Sequence, residues 1–98
     1  MPSADPGETV RAYFAAITNR DYARAWKLGG QNTGSSYSSF VSGLSTTAND
    51  TVTVLSVAGN VVTARLSAQQ TDGTVKVFQG TYRVINGVIV GFNVRQVS

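Results

Sequence analysis

The sequence predicts an α+β domain in which three N-terminal helices pack on a curved, four-stranded antiparallel sheet. Apolar side chains recur at helical spacing as far as Leu44, whereas from Asp50 onward they alternate with a period of two residues. The alternating runs are separated by turn sequences at residues 59–60, 72–73 and 86–87, each containing a Gly. The length of 98 residues suits one domain with one core.

The composition excludes several kinds of chemistry. The chain contains no Cys and no His, which removes disulfides, thiolate nucleophiles and the commonest general base and metal ligand. We therefore expect neither a metal nor a cofactor. The eight basic residues are dispersed along the chain, so nucleic-acid binding is not expected. No apolar run approaches the roughly 20 residues that span a bilayer, and no membrane insertion of this segment is expected.

The composition of polar residues indicates where in the cell the protein is located. Only 13% of the residues are charged, whereas Ser and Thr are abundant, a composition more common in exported bacterial domains than in cytosolic ones. Residues 1–5 have neither a basic stretch nor an apolar core and do not resemble a signal peptide. We expect part of a longer bacterial protein, extracellular or in the cell envelope, with the cytoplasm as the alternative. Residues 1–4 are expected to be disordered.

The first helix has clear start signals. Asp5 is predicted as the N-cap, Pro6 suits the first helical position and Glu8 completes a capping box. The helix is predicted to end at residues 19–20. Its apolar face consists of residues at i, i+3, i+4 and i+7, namely Val10, Tyr13, Phe14 and Ile17.

Two shorter helices follow. The second is predicted to begin after its N-cap Asp21 and to end at residues 29–30, which are both Gly. Residues 31–36 are predicted as a loop before the third helix, and residues 45–49 as a linker after it. The inward residues are Tyr22, Ala25, Trp26 and Leu28 in the second helix and Tyr37, Phe40, Val41 and Leu44 in the third.

Four strands are predicted at residues 51–58, 61–70, 75–84 and 88–97. Three-residue loops at 71–73 and 85–87, each with Gly in the left-handed conformation, keep the even-numbered residues of the last three strands on one face. Two-residue loops would place Leu66 opposite Gln79 and scatter the apolar residues over both faces. Gly80 is then expected between Ala64 and Phe92, where it lets the sheet bend.

The three-residue loops define the two faces of the sheet. The face predicted to meet the helices consists of Val62, Ala64, Leu66, Phe78, Gly80, Tyr82, Val84, Val88, Val90, Phe92 and Val94. The outer face carries Arg65, Arg83 and Arg95 among Thr, Ser, Asn and Gln, with Val77, Ile89 and Val97 interspersed. The first strand has apolar residues in both phases, which predicts either a bulge or burial on both sides.

Two helical segments carry a resemblance to a known superfamily. Residues 13–22 (YFAAITNRDY) and 25–28 (AWKL) are similar to the first two helices of ketosteroid-isomerase-like and polyketide-cyclase-like members of the nuclear-transport-factor-2-like (cystatin-like) superfamily. Residues 72–74 and 80–82 also resemble its strands, although the short edge strand before the third helix is missing or reduced. The resemblance implies that residues 1–98 form a single domain of this superfamily, with helices closing a cone-shaped sheet over a pocket.

The resemblance places Tyr13 where ketosteroid isomerases carry an oxyanion-stabilising Tyr. That chemistry also needs a carboxylate base, and residues 27–33, where the base would lie, contain no acid. The five acids all have structural explanations: Asp5 and Asp21 as helix caps, Glu8 in the capping box, Asp72 in a turn and Asp50 at the start of a strand. We therefore expect no catalytic residue.

Six aromatic residues are candidates for the lining of a ligand pocket: Tyr13, Trp26, Tyr37, Phe78, Tyr82 and Phe92. Packing in the core is the alternative, because a small domain needs such side chains inside. Arg65, Arg83 and Arg95 could bind an anion or an acidic partner, or could simply be solvated.

The sequence predicts a non-catalytic module that binds a small apolar ligand or a protein partner. The alternative is a small enzyme of the isomerase or cyclase type that uses Tyr13 with a pocket amide such as Gln96. A purely structural domain is the third interpretation. We expect a monomer, or a weak homodimer through the outer face of the sheet.

Overall fold

The computed structural model describes residues 6–44 and 47–98. Within them lie three α-helices, α1 (Pro6–Thr18), α2 (Tyr22–Leu28) and α3 (Tyr37–Leu44), and a 3-10 helix at Gly30–Asn32. One antiparallel sheet, in the order β1-β2-β3-β4, is formed by β1 (Thr47–Ala58), β2 (Val61–Gln70), β3 (Val75–Ile85) and β4 (Val88–Gln96). The predicted α+β fold, three helices on a four-stranded antiparallel sheet, is confirmed. The predictions for the N-cap Asp5 and for disorder at residues 1–4 lie outside the described residues.

The helix boundaries follow from local hydrogen bonds. The Asp21 side chain accepts a hydrogen bond from the Arg24 N–H at 3.3 Å, as an N-cap should. At the other end of α2, the Gly29 N–H donates to the carbonyl of Ala25 at 3.1 Å. The predicted loop at residues 31–36 is shorter than expected, because its first residues continue into the 3-10 helix.

The core lies between α1 and the inner face of the sheet. One side of α1 is buried against β1, β2 and β3, while α2 and α3 extend the layer of helices. Full burial of each large aliphatic side chain stabilises the fold by about 1.5–3 kcal/mol. The buried hydrophobic residues are Val10, Tyr13, Phe14, Ala16, Ile17, Ala25, Phe40, Val62, Ala64, Leu66, Ala68, Tyr82, Val84 and Ile89.

The β2–β3 hairpin has the predicted register. Leu66 pairs with Phe78, so both side chains lie on the same face of the sheet. The turn is closed by a hydrogen bond from the Gln70 N–H to the Thr74 carbonyl at 2.7 Å, and Gly73 has φ +90°. These features define the three-residue loop at residues 71–73, with Gly in the conformation it tolerates best.

The predicted three-residue loop between β3 and β4 is wrong. Ile85 pairs with Val88, which leaves a two-residue turn of Asn86 (φ 52°) and Gly87 (φ 76°). Two consecutive positive φ angles are typical of a type I′ turn, and Asn-Gly is its preferred sequence because both residues tolerate that conformation. With such a turn, Ile89 pairs with Val84 instead of lying on the outer face.

A β-bulge at Val90 restores the phase of β4. Arg83 pairs with Gly91 and Val84 with Ile89, so Val90 is left without a partner on β3. Without the bulge, Phe92 would point away from the helices. The inner face of β4 therefore includes Ile89, which is 0% exposed, and does not include the predicted Val90, which is 42% exposed.

The same shift changes two further predictions on the last two strands. Val88 pairs with Ile85, on the opposite face from Ile89, and so does not face the helices as expected. Gly80 lies between Ala64 and Val94, not between Ala64 and Phe92. Because a Cβ on Gly80 would meet the Asn93 carbonyl and lie 2.5 Å from the Cα of Val94, this position requires Gly.

Strand β1 begins at Thr47, so the end of the predicted linker belongs to the sheet. Breaks in its register with β2 leave Ala48 and Leu55 as the extra residues of two irregularities. The second of them explains why apolar residues of β1 occur in both phases, and Leu55 is 51% exposed. The predicted alternative of a bulge is thus the correct one.

Candidate functional site

A cavity of about 420 Å³ lies between α1, the 3-10 helix and the sheet. Helix α1 contributes two adjacent residues to it, and the even-numbered positions of β2, β3 and β4 provide its floor. The residues that line the cavity are Tyr13, Phe14, Asn32, Thr33, Leu66, Phe78, Tyr82, Phe92 and Val94. Its walls are therefore mainly aromatic and aliphatic, with two polar side chains from the 3-10 helix and the residue after it.

The aromatic rings of this cavity pack on one another in fixed orientations. The centroid of Tyr13 lies 4.9 Å from that of Phe14, edge to face, and 5.9 Å from that of Phe92. Tyr82 makes edge-to-face contacts with Phe14 at 5.7 Å and with Phe92 at 5.9 Å. Such edge-to-face pairs are each worth about 0.5–1.5 kcal/mol beyond burial, so the ring contacts add to the stability of this wall.

The structure brings together four of the six aromatic residues singled out from the sequence. Tyr13, Phe78, Tyr82 and Phe92 line the cavity. Trp26 and Tyr37 are not among its lining residues, since they stack edge to face at 5.4 Å and Trp26 also contacts Phe40 at 5.4 Å. These ring contacts pack α2 against α3, and Tyr37 stays 44% exposed instead of facing inward as predicted.

A second cavity, of about 310 Å³, adjoins the first. It shares with it the side chains of Tyr13, Phe14, Leu66 and Phe78. Its other lining residues include Ile17, Leu44, Thr47, Asp50, Gln70 and Lys76. The two cavities thus meet at the same apolar side chains, and the second differs by having a carboxyl group in its wall.

Asp50 is the functional candidate that the sequence interpretation missed. Its explanation as the opening residue of a strand is incomplete, because Asp50 lies within β1 and pairs with the buried Ala68, on the inner face. The signal was present in the sequence, since Asp50, Val52 and Val54 share one phase of the strand. A carboxyl group in the same phase as inward Val residues points into the layer between sheet and helices.

The backbone of Asp50 is held by the end of α1. The Thr18 hydroxyl accepts a hydrogen bond from the Asp50 N–H at 2.9 Å and lies 3.3 Å from the Asp50 carbonyl, to which it donates. This double contact joins the last turn of α1 to β1 and fixes the backbone from which the side chain of Asp50 extends. Thr18 therefore acts as a positioning residue for Asp50.

Burial dominates the electrostatics of this region. Removal from water raises the pKa of the half-buried Asp50 to about 6. Burial also raises the pKa of Tyr82 to about 12, with a smaller contribution from the charge of Asp50. The pKa of Tyr13 is raised further, first by burial and then by Tyr82 and Asp50. Both phenols are therefore neutral at pH 7, and both are close enough to Asp50 to sense its charge.

Two amide side chains differ in their relation to the cavity. Asn32 lines it while its Nδ2 donates to the carbonyl of Ile89 at 3.0 Å, which ties the 3-10 helix to β4. Gln96, the amide suggested by the sequence, is exposed, donates to the Ser98 carbonyl at 3.2 Å and is not a lining residue. An enzyme mechanism based on Gln96 in this cavity is therefore without support.

The outer face of the sheet has a polar groove of about 420 Å³. It is lined by Thr63, Gln79, Gly80, Thr81, Asn93, Arg95 and Val97. Arg65 and Arg95 lie on either side of Gln79 in one row across β2, β3 and β4, and Arg83 is further along β3. All three arginines are exposed, so this face is basic and hydrated.

Comparison with known proteins gives no family for this chain: no protein-family model matches it, and neither does any curated protein. In residues 6–44 and 47–98, no helix is both long and apolar enough to cross a membrane. The same part of the chain contains no cluster of three or more acidic side chains that could hold a metal ion.

Proposed function

We propose that this chain is a non-catalytic member of the nuclear-transport-factor-2-like superfamily that binds a small apolar ligand between α1 and the sheet. The observation that supports it is the aromatic cavity of about 420 Å³ around Tyr13 and Tyr82. Ligand cavities of small-molecule sites are usually about 300–1,000 Å³ and mainly apolar, with a few polar groups that orient the ligand. Asn32 and Thr33 are polar groups of this kind in its lining.

The setting of the module is a further part of the proposal. We propose that the segment belongs to a longer bacterial protein that is exported or anchored in the cell envelope. The low charge content of 13% supports this setting. A ligand-binding role suits such a protein, because a small domain can report the presence of a ligand to whatever it is attached to.

Naphthylmethanol, a compact apolar alcohol, is a suitable probe for the test. Binding is measured from chemical-shift changes of backbone amides, with the changes expected around Tyr82 and Phe92. Val94→Phe fills the cavity from β4 and should abolish binding, whereas Val90→Phe, on the exposed bulge of the same strand, should leave it unchanged. Equal binding by both variants would disprove the proposed site.

A small isomerase- or cyclase-type enzyme is the second candidate function. The observation that favours it is the carboxyl group of Asp50 in a cavity that Tyr13 also lines, with a pKa of about 6. A base whose pKa lies near the working pH and a neutral phenol are the groups that proton transfer next to a carbonyl requires. Turnover of small ketones that is lost in Tyr13→Phe and in Asp50→Asn would establish this function in place of simple binding.

A further inference from the structure

We infer that the ligand is a hydrophobic amine, whose ammonium group lies at the carboxylate of Asp50 and whose apolar body lies against the aromatic side chains of the adjoining cavity. This inference rests on the proposed function and specifies the class of ligand for the same site.

The first argument is that the carboxyl group of Asp50 has no protein partner among the described residues. Asp50 uses its backbone N–H and carbonyl with Thr18, but among the described residues no side chain donates a hydrogen bond to its carboxyl oxygens or forms an ion pair with them. The carboxyl group is half-buried against Ala68 and the end of α1, so folding has already removed part of its water. A ligand that brings a positive donor therefore gains the attraction without having to strip the carboxylate of its whole hydration shell.

The second argument is the chemistry of the neighbouring wall. Tyr13 and Phe78 line both cavities, and Tyr82 and Phe92 continue the aromatic surface of the larger one. The faces of aromatic rings are electron-rich and attract cations within about 6 Å, especially ammonium groups that have lost water. A carboxylate next to such rings favours an organic cation over an anion or a neutral molecule of the same shape.

The charged and titratable groups that face Asp50 are consistent with a cationic ligand, with one opposing contribution. From α1 comes the phenol of Tyr13 and from β3 the phenol of Tyr82, and both are neutral. From β3 also comes Lys76, which is exposed and lines the smaller cavity beside Ala68. Lys76 is in the same row as Asp50, two strands away, and forms no ion pair with it, so its positive charge only weakens the attraction for a second cation.

The size of the site limits the ligand. The smaller cavity, about 310 Å³, accepts the ammonium group and the first carbons, and the larger one accepts a ring system or a branched chain. A polyamine with several charges along its length does not match, because Asp50 is the single acid among the described residues that line either cavity.

Two probes of nearly identical shape test the inference, naphthylmethylamine and naphthylmethanol. At pH 7.5 and low salt, the amine should bind about tenfold more tightly than the alcohol, as expected for one partly desolvated ion pair with aromatic neighbours. In Asp50→Asn the advantage of the amine should disappear, and continued binding of the alcohol shows that the variant is folded. Lys76→Gln is the matched control and should bind the amine at least as tightly as the wild type.

A pH series gives a second, independent readout on the unmodified protein. The preference for the amine should decrease as the pH falls below about 6, because Asp50 becomes protonated while the amine stays charged. Equal affinities for the two probes in the wild type at pH 7.5 would overturn the inference and leave the apolar site intact. Binding of neither probe would instead overturn the proposed function itself.

Discussion

The ring of Phe40 lies directly on the backbone of Gly30. A Cβ on Gly30 would be 2.5 Å from Cζ and 2.6 Å from Cε1 of Phe40, closer than any van der Waals contact allows. The contact joins α3 to the 3-10 helix, and through Asn32 to β4. The position of α3 thus depends on the absence of a single methyl group.

Gly30→Ala should destabilise the fold by about 1–3 kcal/mol, because the ring of Phe40 must move away from its place in the core. The loss should shrink when Phe40→Leu is introduced in the same chain, since the smaller side chain leaves room for the methyl group. Urea unfolding of the two single variants and the double variant measures this coupling. Strict additivity would show that the two residues do not share the contact.

Asp50 should make the stability depend on pH. Its pKa rises from 3.8 in the unfolded chain to about 6 in the native state, so the folded form binds the proton more tightly. The contribution of Asp50 to the free energy of unfolding is therefore complete below about pH 4, decreases as the pH rises towards 6 and stays lost above it. The shift corresponds to about 3 kcal/mol, which partial access to water reduces to about 1–2 kcal/mol.

Asp50→Asn isolates this contribution from that of the other acids. The variant should lack the decrease between about pH 4 and 6 and should be about 1 kcal/mol more stable than the wild type at pH 7. Urea midpoints at several pH values provide the comparison. Parallel curves for the two proteins would mean that the native carboxyl group is as hydrated as in the unfolded chain.

Two glycines should respond to Ala in opposite directions. Gly80→Ala places a methyl group against the backbone of Asn93 and Val94 and should cost more than about 2 kcal/mol. Gly43 lies near the end of α3, where a Cβ would meet nothing within 4 Å, and Gly43→Ala should stabilise by about 0.5 kcal/mol through helix propensity. Thermal unfolding of both variants measures the difference, and a mild effect at Gly80 would show that β3 and β4 can separate locally.

Self-association through the outer face of the sheet should be weak. Val77 and Val97 provide an apolar centre, but Arg65, Arg83 and Arg95 are exposed around them, and no described residue of that face is acidic. A two-fold contact would bring these like charges together. We expect a monomer at micromolar concentration and, at most, a weak dimer that added salt strengthens by screening. Sedimentation at low and high salt tests this, and a tight dimer at low salt would place the arginines outside the contact.

The alternation of apolar residues was sufficient to predict β2 and β3. Pairing of Leu66 with Phe78 puts both apolar side chains on one face of the sheet. A three-residue loop that ends at Gly73 gives this pairing, whereas a two-residue loop does not. The β3–β4 turn was harder, since Asn86 and Gly87 fit both a two-residue turn and a longer loop. The bulge at Val90 decides between them, and a bulge depends on how well β4 packs as a whole, which no local pattern records.

The candidate site was predicted only in part, for a similar reason. The apolar phase of the strands identified Phe78, Tyr82 and Phe92, whereas the helical spacing of Trp26 could not show that its partner would be Tyr37. Asp50 was explained by its place in the sequence, at the change from helical to alternating periodicity. Its burial results from the longer β1 and the contact with Thr18, both of which are tertiary features.

The irregularities of β1 and β4 have a consequence for the chain in crowded surroundings. These two strands form the ends of the sheet, so each has one edge free of a neighbouring strand in the described fold. A long, regular edge would be a template for a strand of another molecule and hence a starting point for aggregation. Ala48 and Leu55 interrupt one edge strand and Val90 the other, so an incoming strand would lose its hydrogen-bond register within a few residues. The bulge that returns Phe92 to the inner face thus also hinders growth of the sheet into a fibre.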